Sequence, residues 1–97
     1  MRIRWTSRAS ADLVRLHAFL AAAAPEAAAR VVQELARAPE RLVAFPRIGE
    51  KLEAYGPREV RRIIVGRYEM RYEVVAGSIV ILRLWHGREH RSLEGED

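Results

Sequence analysis

The sequence predicts an α+β fold of order β-α-α-β-β-β, with an N-terminal strand and a helical hairpin packed on an antiparallel sheet. Three observations carry this. Apolar residues recur at helical spacing twice, as Ala9, Leu13, Leu16 and Leu20 and then as Ala28, Val31, Val32 and Leu35. Each run is a stripe that needs a surface to bury it. The two runs are joined by a short alanine stretch ending at Pro25, so the helices must fold back on each other. From Val60 onward the period drops to two, which is the signature of strands.

Taken in order, Met1-Arg2-Ile3-Arg4-Trp5 alternates apolar and basic residues and reads as a short, half-buried strand. Thr6 and Ser7 follow with hydroxyls able to cap the first free amides of a helix. In that helix Val14 and Phe19 are expected to widen the apolar stripe, while Arg8, Asp12 and Arg15 face outward and His17 sits at an edge. Pro25-Glu26 opens the second helix: proline has no amide to leave unpaired, and the carboxylate suits the positive end of the helix dipole. Pro39 kinks or ends that helix and begins a last turn through Leu42. Phe45-Pro46-Arg47-Ile48-Gly49 is a turn, and residues 50–57 form a loop crossing to the sheet.

Arg62-Ile63-Ile64-Val65 is a buried, β-branched strand, closed by a Gly66-Arg67 turn. Tyr68, Met70, Tyr72 and Val74 share one face of the following strand, with Glu69, Arg71 and Glu73 on the other. Ala76-Gly77-Ser78 turns the chain again. Ser78 to His86 is the most apolar strand and is expected inside the sheet. There Val80, Leu82 and Leu84 line one face; Ile79, Ile81, Arg83 and Trp85 line the other. The second sheet face would thus carry Arg71 and Arg83 beside Ile79, Ile81 and Trp85, a mixed basic and apolar patch suited to a partner.

A chain of 97 residues is one domain, spanning residues 1–92, with the acidic tail 93–97 frayed. Apolar residues make up 49% and charged residues 31%, the balance of a globular chain. The absence of cysteine excludes disulfides and thiolate metal sites. No apolar run approaches the ~20 residues of a membrane span, and the N-terminus lacks a secretory apolar segment. A cytoplasmic protein without membrane contact is expected. The net charge is +4, and sixteen of the seventeen basic residues are arginine, which suits bidentate phosphate or carboxylate contact. That excess admits a nucleic-acid or an acidic protein partner without choosing between them.

The strand end carries the densest polar cluster, Trp85-His86-Gly87-Arg88-Glu89-His90-Arg91. His86 and His90 with Arg88 and Arg91 offer acid–base and phosphate-clamping groups for RNA cleavage. The His-x-x-x-His spacing would hold a metal only on a helix, and this segment follows a strand, so no metal and no cofactor are expected. Glu69 and Glu73 are expected to pair with Arg71 or Arg83 across strands. No phosphate loop, dinucleotide fingerprint or serine elbow is present.

Several spaced motifs resemble the RelE/ParE superfamily of type II toxin–antitoxin toxins over residues 1 to about 91. They are Ala9-x-x-Asp12-Leu13, Pro25-x-x-Ala28, Leu42-x-x-x-Pro46-x-x-Gly49, Arg58-Glu59, Tyr68-x-x-x-Tyr72, and Ile81-Leu82-Arg83-Leu84-Trp85-His86-Gly87-Arg88. The resemblance implies a helical hairpin on a sheet and a choice between two activities. RelE-like members cut mRNA on the ribosome; this branch would use Arg62, His86 and Arg88. The family's usual arginine after the tyrosine matching Tyr68 is replaced by Glu69, and no tyrosine follows Tyr72. ParE-like members bind and inhibit DNA gyrase without chemistry of their own. These departures from the nuclease pattern favour the ParE-like branch, with no catalytic residue. In that reading Arg71, Arg83, Trp85, His86 and Arg88 form the target surface. The resemblance also implies a ParD-like antitoxin wrapping Leu13, Leu16, Leu20, Val31, Leu35, Ile79 and Ile81, and operator DNA reached only through that antitoxin.

Overall fold

The computed structural model describes residues 1–89. The expected contributions of His90, Arg91 and the 93–97 tail lie outside the described residues. Strand β1 (Arg2–Trp5) leads into α1 (Ser7–Ala21), α2 (Pro25–Arg37) and a short α3 (Pro39–Ala44). Then come β2 (Glu50–Lys51), a 3-10 turn (Glu53–Tyr55), β3 (Val60–Val65), β4 (Tyr68–Val75) and β5 (Ser78–His86). The predicted order holds: the turn expected from Pro39 is α3, and β2 and the 3-10 turn are added inside the stretch 50–57 that was expected to be a loop.

Local chemistry accounts for the helix boundaries. The Thr6 Oγ1 accepts from the Ala9 amide at 3.0 Å, a cap worth about 1 kcal/mol. Pro25 opens α2, and Pro39 opens α3 instead of extending α2, because its ring cannot donate within a continuing helix.

The sheet order is β1-β5-β4-β3-β2. Neighbours β2 to β5 run antiparallel, whereas β1 pairs with β5 in parallel, Arg2 opposite Ser78 and Trp5 opposite Ile81. β4 occupies the middle and β5 lies beside it, interior as its apolar run implies. The hairpin covers one face. Leu16, Leu35, Leu42, Met70, Tyr72 and Leu84 are buried there.

A β-bulge decides which β5 residues join that core. Tyr72 faces Ile81 and Arg71 faces Arg83, so Leu82 is an extra residue on β5. The bulge reverses the alternation. Ile79 and Ile81 therefore face the helices, fully buried, together with Leu84. They do not share a face with Arg83 and Trp85, as strict alternation had required. Leu82 instead packs on the second face with Tyr55 and Val60. That face is roofed in part by Tyr55 and Leu52.

Asp12, expected to face outward, is only 5% exposed. It lies three residues after buried Ala9 and four before buried Leu16, which places it on the inward stripe. Val14 and Phe19, expected to widen that stripe, are 70% and 77% exposed.

Candidate interaction surface

β1 ends at Trp5, so β5 beyond Ile81 has no neighbouring strand on that side. Side chains of α1 and its cap replace one. The Thr6 hydroxyl donates to the Leu82 carbonyl at 3.0 Å, and the Thr6 amide donates to the Ile81 carbonyl. Asp12 Oδ2 accepts from the Leu84 amide at 2.9 Å, and Arg15 donates to the Leu84 carbonyl at 3.2 Å. Asp12 also accepts from Arg83 Nε at 2.8 Å and from Arg15 at 3.2 Å. One buried carboxylate thus satisfies a strand edge and two guanidinium groups. Leaving such backbone groups unpaired in the interior would cost ~1–3 kcal/mol each.

The same clamp fixes the strand end. Glu89 accepts from the His86 amide and is ion-paired with Arg15. The Gly87 amide donates to the Arg67 carbonyl at 2.8 Å, and the Arg88 amide donates to His86 Nδ1 at 3.1 Å. The His86 ring meets Tyr68 edge-on, with centroids 5.2 Å apart. The turn after β5 is therefore held in shape before any partner arrives, and Arg88 stands exposed on it.

On the second sheet face Arg71 forms the centre of a buried stack. Its guanidinium lies 4.6 Å from the Trp85 ring and 5.8 Å from the Tyr55 ring. It donates to Glu69 at 2.8 Å and to the Tyr55 hydroxyl at 2.9 Å. Burial works to lower the Arg71 pKa, but these two hydrogen bonds outweigh it and hold the charge more firmly than in water. Arg83 also lies over the Trp85 ring, at 4.9 Å.

Of the residues expected to meet a target, Arg71 is fully buried and Trp85 is 7% exposed, so these two shape the core. The bulge and the Tyr55 roof are the reason. Arg83 is half-buried and committed to Asp12. His86 and Arg88 alone of the five reach the surface at the strand end. The residues expected to meet an antitoxin are corrected in part. Leu16, Leu35, Ile79 and Ile81 are core, because hairpin closure and the bulge bury them; Leu13, Leu20 and Val31 stay partly accessible beside it.

The nuclease set Arg62, His86 and Arg88 is only loosely assembled. Arg62 and Gly87 line one cleft of about 550 Å³, which also holds Glu69, Arg67 and Tyr68. Arg62 is bound to Glu50 at 2.8 Å and lies 3.5 Å from Glu69. The Glu50 hydrogen bond raises its pKa. His86 Nδ1 accepts from the Arg88 amide at 3.1 Å, so that nitrogen is engaged within the turn. Glu69 pairs along its own strand with Arg71 and across to Arg62, and Glu73 pairs with Arg58 at 2.9 Å.

Sequence reasoning missed Asp12 and Tyr55. The helical phase of Asp12, in register with Ala9 and Leu16, was the available signal for the first. Tyr55 had none, because its partners come from distant strands. Among the described residues, no helix is long and apolar enough to cross a membrane and no group of acidic or imidazole side chains could hold a metal.

Comparisons with known proteins agree with this architecture. A family profile described as "ParE toxin of type II toxin-antitoxin system, parDE" matches residues 3–91. A protein of Caulobacter vibrioides named "Toxin RelE2" is 33% identical over 85 residues, covering 88% of this chain and 93% of its own length. A solved structure titled "Chromosomal ParDE TA system from P. aeruginosa" superposes with a TM-score of 0.75 at 25% identity. It covers 89% of this chain and 95% of its own.

Proposed function

The chain belongs to the ParE toxin family of type II toxin–antitoxin systems, and from that premise we propose that it acts by binding DNA gyrase, not by cutting RNA. The state of the nuclease groups carries this reading. Glu69 is buried beside Arg62, where a phosphate would have to sit, and His86 Nδ1 is occupied by the Arg88 amide. A negative charge at that place opposes an RNA backbone. The prearranged turn of His86, Gly87 and Arg88 offers a rigid cationic tip suited to recognition, since little ordering entropy is lost on docking. A cognate ParD-like antitoxin is the neutralising partner, with operator DNA reached through it.

A second reading, a ribosome-dependent mRNA endonuclease, draws on the cleft shared by Arg62 and Gly87. One paired experiment separates the two. Purified protein is added to a gyrase supercoiling reaction and to translating ribosomes carrying labelled message. Lost supercoiling with intact message is the expected result; cleaved message with normal supercoiling overturns the gyrase reading.

A further inference from the structure

We infer that His86 is a positioning residue: its Nδ1 acceptor sets the backbone of the turn that presents Arg88, and it does so only while the imidazole is neutral. Hydrogen bonds close residues 86–89 on themselves. The Glu89 amide donates to the His86 carbonyl at 2.9 Å, and the His86 amide donates to Glu89 Oε1 at 2.6 Å. The Arg88 amide donates to His86 Nδ1 at 3.1 Å. This is the reciprocal pattern of a helix capping box, built on one turn, with an imidazole where serine or threonine usually stands. What Arg88 then does rests on the gyrase reading proposed above; how it is held does not.

The turn is tied down on two sides. Glu89 Oε2 is ion-paired with Arg15 of α1, which also holds Asp12 and the Leu84 carbonyl. The Gly87 amide donates to the Arg67 carbonyl at 2.8 Å, and a Cβ at Gly87 would stand 3.2 Å from that oxygen. Glycine thus lets this turn press against the one between β3 and β4. Gly87 and Glu89 are anchored to the body of the protein, and Arg88 lies between them. Its amide is held from within the turn, by His86. Its side chain is exposed and has no ion pair among the described residues. The direction in which that guanidinium leaves the surface therefore follows from the backbone that His86 fixes.

Imidazole differs from other capping groups in one respect. A hydroxyl or carboxamide oxygen accepts at any ordinary pH, whereas Nδ1 accepts only when it carries no proton. Protonation makes both ring nitrogens donors, so the Arg88 amide loses its acceptor and faces an N–H instead. The ring meets Tyr68 of β4 edge-on. The charged groups around it are Arg88 and Glu89 in the turn, Arg15 on Glu89, and Arg67 and Glu34, both close enough to act on the Tyr68 hydroxyl. Glu89 stays committed to the His86 amide and to Arg15. Protonation therefore breaks one arm of the box and leaves the other, and the turn loosens at Arg88 without unfolding the protein.

The test compares two isosteres on the whole chain. Asparagine places its side-chain oxygen where Nδ1 stands, and glutamine reaches the place of Nε2. NMR follows the protection of the Arg88 amide, as its exchange relative to an unstructured peptide, together with the His86 ring. In the parent, protection falls about fivefold as the ring takes up its proton, with one shared midpoint. His86→Asn keeps the protection and removes its pH dependence; His86→Gln loses it at every pH. Gyrase inhibition is read beside it, and His86→Gln weakens it about fivefold more than His86→Asn does. Should His86→Gln fold poorly, the parent's pH profile decides alone. Arg88 protection that ignores the titration of the ring, or equal protection in both variants, overturns the inference. So does equal inhibition by both variants where the parent inhibits. A parent that leaves gyrase unaffected while Arg88 follows the ring sinks the target reading alone.

Discussion

Arginine serves two opposite purposes in this molecule, divided by region. On the second sheet face and along β5, Arg15, Arg58, Arg62, Arg71 and Arg83 are each tied to a carboxylate. Beside α2 and the β3 edge, and at Arg88, the guanidinium groups have no ion pair among the described residues. Paired and buried, arginine specifies the fold. At the buried pairs, Arg71 with Glu69 and Arg83 with Asp12, removing one partner strands a charge, and the penalty is large. Exposed without a partner, it adds little to stability and is available to another molecule. A net charge of +4 says nothing of this division; only the placement of the carboxylates does.

The comparison is broken most severely at Asp12. Asp12→Ala leaves the Leu84 amide and Arg83 without their acceptor, and stability should fall by about 3–5 kcal/mol in urea unfolding. Asp12→Asn keeps an acceptor and should lose less than half of that. Tyr72→Phe removes both hydroxyl bonds that hold the 46–49 loop. A loss of about 1–3 kcal/mol is expected, seen as a lower thermal midpoint. At Arg88 the expectation reverses. Arg88→Ala should change stability by no more than ~0.5 kcal/mol while weakening gyrase inhibition about tenfold or more.

The smallest effect belongs to Glu59. Hydrogen bonds from Arg61 and then Arg47 hold its carboxyl below the ordinary value of 4.5. A depressed pKa means the folded state binds that proton less readily than the unfolded chain. The contribution is therefore present above pH 4.5 and lost as pH falls through the folded value. Glu59→Gln should flatten the stability profile in that acid range and leave it parallel to the parent's above it.

Features that depend on near neighbours were readable in the chain. Thr6 caps a helix, Pro25 and Pro39 open helices, Gly66 turns a hairpin with φ 62, and β5 runs from Ser78 to His86. The candidate site was less legible. Arg71 looks like any exposed arginine until Tyr55 arrives over it from sixteen residues away. The bulge at Leu82 is set by the Tyr72 pairing and by the Thr6 hydroxyl, which comes from seventy-six residues earlier. A periodicity argument cannot detect an inserted residue, so Ile79 and Ile81 fell on the wrong face. Arg88 is exposed because it follows the strand, and His86, the last residue of β5, is only partly exposed.

The central claim is recognition without chemistry, and stoichiometry tests it most directly. Gyrase activity should be titrated with the purified chain at enzyme concentrations well above the dissociation constant. Binding predicts a loss of supercoiling in proportion to added protein, with a break near equivalence and with message intact on translating ribosomes. Undiminished supercoiling at molar excess, together with message cut by substoichiometric protein, would contradict the account.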